Sequence, residues 1–373
     1  MTTSLSPLAE PSSPAPGPRA PRDHTRTGWL LLAIALLLLV VLGLTPSAYV
    51  IEQPGPVYDT LGTSEQSGKQ VPLISIPGEE TYPTDGSLDL LTVSVVGSPA
   101  RTPDLAQVAL AWFDPSKSVQ PLESIYPTGV TSGERDEQSR LQMENSQQEA
   151  VAASLTELGY EIPRTLTVQT IVEGSPADGL LKKGDQITTV DGTPATDLTV
   201  LRKLVSDNGT GTPAEIGILR SGRPSTVEVT PVESDAGVVV GVGVGVTYAF
   251  PFDVDIELEN VGGPSAGMMF ALGIYDKLTP GSLTGGARVA GTGTIDAQGA
   301  VGAIGGIRQK LYGAERAGAT WFLAPQSNCD EVAGHVPSGL KVVSVRTLAD
   351  SLAALKAISS GADTSGLPTC TAG

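Results

Sequence analysis

The chain of 373 residues has few of the residues that build metal centres or disulfide scaffolds. It contains two cysteines and two histidines, whereas a zinc site in a protein uses about four ligands of these types. A Cys/His zinc site is therefore nearly excluded, and a small disulfide-dense scaffold is excluded as well. We expect neither a metal ion nor a cofactor.

Basic residues are also scarce, because 23 lysines and arginines stand against 40 aspartates and glutamates, which gives a net charge of -17. Phosphate binding needs a basic surface, so nucleic acid is not expected as a partner. Charged residues make up only 17% of the chain and hydrophobic residues 40%, a composition that excludes a wholly disordered protein. The length suggests two or three domains, and 44 glycines and 29 prolines favour strands and turns over a helical bundle.

The longest apolar run lies near the N-terminus. Residues 1–27 are rich in proline and serine and are expected to form a disordered cytoplasmic tail. An uncharged run follows from Trp29 to Leu44 and continues with mild polarity to Ile51, and about twenty such residues cross a bilayer as a helix. We therefore expect a single-pass membrane anchor at residues 28–51. Arginines precede this run and acidic residues follow it, so the positive-inside rule places everything after residue 51 outside the cytoplasm.

A cleaved signal peptide is the competing interpretation of this run, because Ser47 and Ala48 offer small residues at a cleavage site. Pro46 would then stand where a small residue is wanted, which favours an uncleaved anchor. Either alternative exports most of the chain. In that oxidising compartment, Cys329 and Cys370 are candidates for one disulfide that ties the C-terminal tail to a loop, and two free thiols are the alternative.

Residues 163–233 carry the pattern of a compact β-rich unit. The run EGSPADGLLKKGDQITTVDG at residues 173–192 contains a turn, a strand of alternating polarity and an Asp-Gly hairpin signal. A helix at 198–205 and two further strands are expected to follow. This run resembles the PDZ domain family, whose members bind extended peptides or chain ends by adding a strand to a sheet edge. The alternative is a β-rich spacer that binds nothing.

An α/β pattern occupies residues 237–358, where strands and helices follow an alternating Gly-Val strand at 237–246. Strands at 88–96 and a helix at 146–158 precede the β-rich unit. Ser146 and Glu149 would begin this helix as a capping box, and residues 131–140 are expected to form a loop. Residues 359–373 form a C-terminal tail.

Two local features of the α/β unit indicate chemistry. The motif GGPSAG at residues 262–267 places Ser265 after a glycine turn, at or near a helix N-terminus. Backbone N–H groups there, around Gly263, Pro264 and Ala266, are suited to an oxyanion. On a helix at 307–317, Lys310 shares a face with three apolar residues, so it should be buried and its pKa should fall. A neutral lysine is a competent general base for a serine nucleophile.

A Ser-His-Asp triad needs a histidine. The exported part offers only His335, in a Gly/Pro-flanked loop that indicates a surface residue. A serine with a lysine is therefore the arrangement that the composition allows. Taken alone, however, GPSAG also fits an ordinary helix start, and a lysine on an apolar helix face often extends to solvent.

Residues 255–318 resemble the proteolytic domain of Lon proteases, through GGPSAG around Ser265, LTGG at 283–286 and VGAIGGIRQKLYGA at 301–314. The resemblance implies that Ser265 is the nucleophile, that Lys310 is its base, and that Thr284, from the family's Thr-Gly element, orients the lysine. The GxxxxGK(S/T) phosphate cradle of an ATPase module does not occur in the sequence, so an ATP-independent peptidase is implied. Lon-type domains form hexameric rings, so a homo-oligomer is one assembly state that the resemblance implies.

The whole pattern is similar to the bacterial membrane-anchored serine proteases that join a PDZ domain to a Lon-like domain. The implied fold is an α/β (α+β) Lon-like proteolytic domain, made from residues 60–160 and 237–358 with the PDZ-like unit inserted. Three domains in series are the alternative. The implied function is cleavage of protein or peptide substrates by a serine endopeptidase at the cell membrane. The rival hypotheses are a non-catalytic PDZ adaptor on a degenerate protease fold and a regulator that cleaves only itself.

Overall fold

The computed structural model describes residues 24–66, 68–234, 237–259 and 261–370. Most of the tail expected at residues 1–27 lies outside the described residues. The helices of the described chain are α1 His24–Leu44, α2 Leu105–Ala111, α3 Leu122–Ile125, α4 Ser132–Glu157, α5 Leu198–Asn208, α6 Gly267–Leu278, α7 Ile307–Arg316, α8 Cys329–Val332 and α9 Leu348–Ser359.

The strands are short, with β1 and β5 the longest. They are β1 Tyr49–Asp59, β2 Thr63–Gln66, β3 Lys69–Pro72, β4 Ile74–Ser75, β5 Ser87–Val96, β6 Ser118–Pro121, β7 Arg164–Ile171, β8 Gln186–Val190, β9 Thr193–Pro194, β10 Ala214–Arg220, β11 Arg223–Val229, β12 Val232–Ser234, β13 Gly237–Val239, β14 Val242–Tyr248, β15 Asp255–Ile256, β16 Arg288–Gly291, β17 Thr294–Ile295, β18 Val301–Gly302, β19 Trp321–Pro325 and β20 Lys341–Val345.

Helix α1 is long and apolar enough to cross a membrane. Its segment Arg26–Gly43 has a mean hydropathy of 2.2 and is 0% buried, and a signal sequence near the N-terminus would have the same properties. The expectation that the spanning helix continues to Ile51 is wrong, because α1 ends at Leu44 and β1 then begins. Pro46 lacks the N–H that a helix needs at that point, and Val50 is buried within β1.

The larger sheet has six strands in the order β20-β19-β16-β5-β1-β6. Strands β20, β19, β16 and β5 are parallel, and β1 runs antiparallel to both β5 and β6. Because side chains alternate along a strand, Val289 and Leu323 face a core that includes α4, α6 and α9. Their neighbours Ala290 and Phe322 face a second core that includes α7. Helices therefore cover both faces of the sheet.

The strands of this sheet come from both sides of the β-rich unit in the sequence. Strands β1 and β5 precede that unit, whereas β16, β19 and β20 follow it. Strands β5 and β16 pair directly, from Ser87 opposite Arg288 to Leu90 opposite Gly291. Strand β1 lies before the boundary that we expected at residue 60.

The smaller sheet has the order β11-β10-β8-β7-β14, with β9 paired to β8, and α5 contributes to its separate core. We expected the Gly-Val strand to open the C-terminal α/β unit. It is instead divided in two: β13 pairs with β12, and β14 pairs along β7, from Val242 opposite Ile171 to Tyr248 opposite Arg164, as an edge strand of this sheet. Its valines pack against the core of this unit, and a Cβ at Gly243 would meet the side chain of Thr170 on β7. The alternation of glycine and valine therefore suits a strand of the smaller sheet, with valines packed against the core and glycines close to side chains of β7.

Residues 132–140 form the first turns of α4 and not a loop. The Thr131 side chain accepts a hydrogen bond from the Glu134 N–H, and the Glu134 side chain accepts one from the Thr131 N–H, which is a capping box. The box predicted at Ser146 and Glu149 is wrong, because Ser146 lies inside the helix and its hydroxyl donates to the Pro264 carbonyl at 2.9 Å. Both sites match the same pattern, and no proline between them stops a helix that begins at the first.

The C-terminal segment is held against the α/β unit. Cys329, at the start of α8, forms a disulfide with Cys370. Cys370 also packs against the core on the α7 face of the larger sheet, and the Ser344 N–H donates to the Pro368 carbonyl at 2.8 Å. The tail is thus covalently and non-covalently attached to the end of the sheet.

A fragment of residues 235–373 is expected not to fold, because it lacks β1, β5 and α4. Removing β5 leaves one edge of β16 unpaired, and removing α4 exposes apolar side chains of α6. The solubility and far-UV circular dichroism of the purified fragment test this. A fragment of residues 49–373, which lacks only α1 and the preceding tail, is the matched control and should fold. A soluble 235–373 fragment with cooperative unfolding would contradict the expectation.

Candidate active site

Ser265 lies in the turn that leads into α6. Gly263 has a φ of 84°, a left-handed conformation that glycine adopts without strain. A Cβ at Gly262 would meet the Cβ of Ser139 on α4 at 2.7 Å, so glycine allows the turn to approach that helix closely. Ser265 is half-buried, and α6 begins at Gly267. The serine therefore stands near a helix N-terminus, as the glycine turn predicts.

Lys310 reaches the same point from α7. Gly306, with a φ of 69°, is the N-cap of this helix. Ile307 and Leu311 are fully buried, and Lys310 on the same face is only 2% exposed. The lysine does not extend to solvent. Its Nζ donates a hydrogen bond to Ser265 Oγ at 2.7 Å.

These two side chains meet just beyond the carboxyl end of β16, where helices from opposite faces of the sheet converge. Thr292 follows β16 directly and joins both residues. Its Oγ1 accepts from Lys310 Nζ at 2.9 Å and donates to the Ser265 carbonyl at 2.9 Å. The Gly293 N–H donates to the same carbonyl at 3.0 Å. The end of β16 thus fixes the serine backbone and the lysine amine together.

Burial lowers the pKa of Lys310 from 10.5 to about 7. The cause is desolvation, because the protein interior disfavours the charged ammonium form. No carboxylate of the described residues counteracts this effect. A substantial fraction of the amine is therefore neutral near pH 7 and able to accept a proton.

The hydrogen bonds of Thr284 lie elsewhere. This residue is fully buried, and its Oγ1 donates to the Asp85 carbonyl, which fastens the turn at 282–287 to the segment before β5. The expectation that Thr284 orients the lysine is wrong, and Thr292 occupies that position. Both threonines precede a glycine, so the motif alone did not distinguish them. The tertiary structure distinguishes them, because Thr292 directly follows β16 and this strand ends beside Lys310.

The backbone around Ser265 differs from the expectation in part. The Gly263 N–H donates to the Ser139 carbonyl at 2.9 Å, and Pro264 has no N–H, so neither can donate to an oxyanion. Within the described part of the chain, the N–H groups of Ser265 and Ala266 make no hydrogen bond. Of the three supporting residues that we named, only Ala266 therefore offers a free donor, together with the serine itself.

An open cleft of about 520 Å³ adjoins Ser265 Oγ. One wall consists of β5 residues from Leu90 to Ser94, and another consists of the glycine turn from Val261 to Ala266. β16 pairs with β5 only as far as Leu90, so in the described chain the rest of that edge of β5 has no strand partner. The cleft therefore combines the Ser265 side chain with unpaired backbone groups of β5.

The remaining candidates lie outside this cleft. His335 lines a different cavity, and its Nδ1 lies 3.1 Å from the Ala333 carbonyl oxygen. Among residues 24–370, apart from those left undescribed, no group of three or more His, Cys, Asp or Glu is arranged to hold a metal ion. The side chains that hydrogen bonds join beside the cleft are those of Ser265, Lys310 and Thr292.

Replacing Lys310 by methionine is expected to stabilise the fold in a pH-dependent way. The lysine titrates near 10.5 when unfolded and at about 7 when folded, so between these values the unfolded state binds more protons and the native stability rises with pH. The burial cost is fully present below about pH 7. Lys310→Met should then raise the free energy of unfolding by at most about 5 kcal/mol, and the gain should shrink as pH rises.

Chemical denaturation of the detergent-solubilised protein at several pH values measures this gain. Lys356→Met is the matched control, because Lys356 is exposed on α9 and should give no such pH dependence. A gain for Lys310→Met that is the same at all pH values would show that the amine is not desolvated.

Two families match separate parts of the chain. The PDZ domain family matches residues 140–230, and the Lon protease (S16) C-terminal proteolytic domain matches residues 260–357. The first range contains α5 and the strands β7 to β11, and the second contains Ser265, Thr292 and Lys310. The PDZ domain of the SdrC-like protein from Listeria innocua is 20% identical with a TM-score of 0.21, over 21% of this chain and 92% of that chain, a likeness on which no argument rests.

Curated relatives match the C-terminal part. The Lon protease of Clostridioides difficile (strain 630) is 39% identical over 79 residues, which cover 21% of this chain and 10% of that protein. Lon protease 2 of Herpetosiphon aurantiacus is 42% identical over 86 residues, which cover 22% of this chain and 10% of that protein. The chain thus spans about a tenth of the length of these relatives. It thus carries one segment that matches the PDZ domain family and, after it, a second that matches the Lon-type C-terminal proteolytic domain family.

Proposed function

We propose that this protein is a serine endopeptidase in which Ser265 is the nucleophile and Lys310 is its general base. The observation that carries the proposal is the 2.7 Å contact between a buried lysine Nζ and a serine Oγ that borders an open cleft. A nucleophile within hydrogen-bond reach of a base, which is itself oriented by a third group, is the usual arrangement for covalent catalysis. Thr292 is that third group.

The proposed reaction begins with neutral Lys310. Its Nζ lone pair accepts the hydroxyl proton while Ser265 Oγ bonds to the carbonyl carbon of the scissile peptide. The N–H groups of Ser265 and Ala266 are suited to stabilise the resulting oxyanion. As the C–N bond breaks, the ammonium of Lys310 returns the proton to the leaving amine. The neutral lysine then activates a water molecule, which hydrolyses the acyl ester and restores the serine.

The unpaired edge of β5 supports a peptide as the substrate. An extended peptide can add to an open strand edge through main-chain hydrogen bonds, with little dependence on its side chains. The edge from Leu91 to Ser94 borders the same cleft as Ser265. We therefore propose that the substrate backbone lies along β5, with its scissile carbonyl directed at the serine.

The PDZ domain is proposed to bind substrate segments or to control access. β14 is an edge strand of its sheet, and a cavity of about 520 Å³ is lined by α5 and by residues 238–244. An apolar groove between a helix and an edge strand suits an extended peptide. Because the sequence has no phosphate cradle, we also propose that cleavage does not use ATP and that stably folded proteins are poor substrates.

We further propose that the proteolytic domain is discontinuous, with residues 49–160 and 250–358 forming one unit and the PDZ domain inserted between them. The position of β5 between β1 and β16 supports this. Helix α1 is proposed as an uncleaved membrane anchor, with the N-terminus in the cytoplasm and the catalytic part outside it. A homo-oligomer remains a prediction.

Ser265→Ala is expected to reduce cleavage of an unfolded protein substrate by about ten-thousandfold or more. Lys310→Arg should have a similar effect, because a guanidinium stays protonated and cannot accept the serine proton. Ser360→Ala and Lys356→Arg, at exposed positions, are the matched controls and should retain activity. Labelling by a serine-reactive probe provides a second readout. Peptide binding without labelling or cleavage in the native protein would favour a non-catalytic adaptor.

Thr292→Val is expected to change the pH profile of cleavage as well as its rate. The native kcat/KM should rise with pH through about 7, as Lys310 loses its proton. Thr292 accepts a hydrogen bond from Nζ and so favours the charged amine. Valine should therefore shift this rise to lower pH and reduce the plateau by about tenfold, the equivalent of one hydrogen bond. Thr292→Ser should restore both, and a lower rate with an unshifted profile would indicate a purely structural role.

A further inference from the structure

Three large apolar side chains are exposed together at the end of α2. Leu110, Trp112 and Phe113 are 72%, 69% and 86% exposed. We call these three residues the α2 tip. Outside α1, no other large hydrophobic residue of the described chain is as exposed. Soluble surfaces avoid such clusters, which commonly mark a contact with a partner or a membrane.

The α2 tip is attached to the point where α1 ends. The Leu105 N–H donates to the Thr45 carbonyl at 3.1 Å, and the Ser47 N–H donates to the Pro103 carbonyl at 3.0 Å. Pro46 and Asp104 form an antiparallel bridge between these hydrogen bonds. Helix α2 also packs against α1. The first turn of α2 is therefore fixed beside the last turn of the candidate membrane helix.

The orientation of the tip is fixed as well. Asp104 caps α2 by accepting from the Gln107 N–H, and Val108 and Ala111 on the inner face are buried, where α2 contacts β1 and β6. Eight residues of helix rise about 12 Å, so Trp112 lies within roughly that distance of the end of α1. The interfacial layer on each side of a bilayer is roughly 5–8 Å thick. The tip therefore lies close enough to the end of α1 to be within reach of this layer.

We propose that the α2 tip inserts into the lipid interface of the same bilayer that α1 spans, as a second attachment point. This inference rests on the proposed membrane anchoring by α1. Tryptophan and phenylalanine are the side chains that favour the interface between headgroups and acyl chains. The tip presents one of each beside a leucine. Trp112 borders a cavity, but most of the residues that line this cavity are polar, such as Glu52 and Arg308, whereas a groove for apolar peptide side chains would be apolar. Two attachment points would fix the orientation of the catalytic unit relative to the membrane.

Trp112 itself can report the contact, because the chain has three tryptophans, at positions 29, 112 and 321. The full chain carrying Trp29→Phe and Trp321→Phe is reconstituted into phosphatidylcholine vesicles, with or without bromine on the acyl chains. Brominated lipid should remove most of the Trp112 emission. The protein with Trp321 alone is the control and should keep its emission, since Trp321 lies in β19, three strands from β1.

The protein with Trp29 alone separates the two proposals. Quenching of Trp29 without quenching of Trp112 would overturn the second attachment point and leave the anchor intact. If neither tryptophan were quenched, α1 would not span the bilayer and both proposals would fail. If the Trp112 emission changed with protein concentration and not with brominated lipid, the tip would be a contact between two copies of the chain. That result would also overturn the proposal.

A single substitution at an exposed position provides a measurement that does not depend on the multiple variants folding. Trp112→Phe in the otherwise native chain should decrease the share of emission that brominated lipid quenches. An unchanged quenched share would count against insertion of the tip.

Discussion

The contact between Lys310 Nζ and Ser265 Oγ requires that a lysine side chain be removed from water almost completely. Lys310 is 2% exposed, and desolvation of its amine brings the pKa to about 7. Such burial destabilises the fold, because the ammonium form loses its hydration. The surrounding structure must therefore hold the amine in place, through the apolar face of α7 and the hydroxyl of Thr292. The same burial that costs stability makes the amine a base near neutral pH.

The contact between Ser265 and Lys310 depends on parts of the chain that are distant in sequence. α6 and α7 lie on opposite faces of the sheet, and β16 ends between them, so Thr292 can contact both residues. Two hydrogen bonds hold the turn that carries Ser265 against α4. The Ser146 hydroxyl donates to the Pro264 carbonyl, and the Gly263 N–H donates to the Ser139 carbonyl. Helix α4 precedes the strands of the smaller sheet in the sequence, whereas the Ser265 turn follows them. The geometry of this turn therefore depends on both halves of the α/β unit.

A continuous structural connection runs from the candidate membrane helix to the cleft. α1 ends immediately before β1, β1 pairs with β5 along its length, and the open edge of β5 lines the cleft. In the sequence, the strands of the smaller sheet lie between α4 and the turn that carries Ser265.

The sequence alone determined the elements whose signals are local. The glycine turn, the apolar face of α7 and the hydrophobicity of α1 predicted a serine near a helix start, a buried lysine and a candidate membrane helix. The Asp-Gly and Gly-Ser-Pro turns similarly predicted the β-rich unit, because turn chemistry depends on adjacent residues.

Tertiary structure decided the questions that depend on which segments pair. Two Thr-Gly pairs and two capping boxes were equivalent as patterns, and only the end of β16 and the continuous helix α4 selected Thr292 and Thr131. The Gly-Val strand fits an edge in either sheet, and pairing with β7 assigned it to the smaller one. Valine and isoleucine after Pro46 are apolar enough for a membrane, but their burial in β1 excludes them from the spanning helix. In each case, hydrophobicity and local pattern specify burial or an element type, whereas the partner is specified by contacts between residues far apart in the chain.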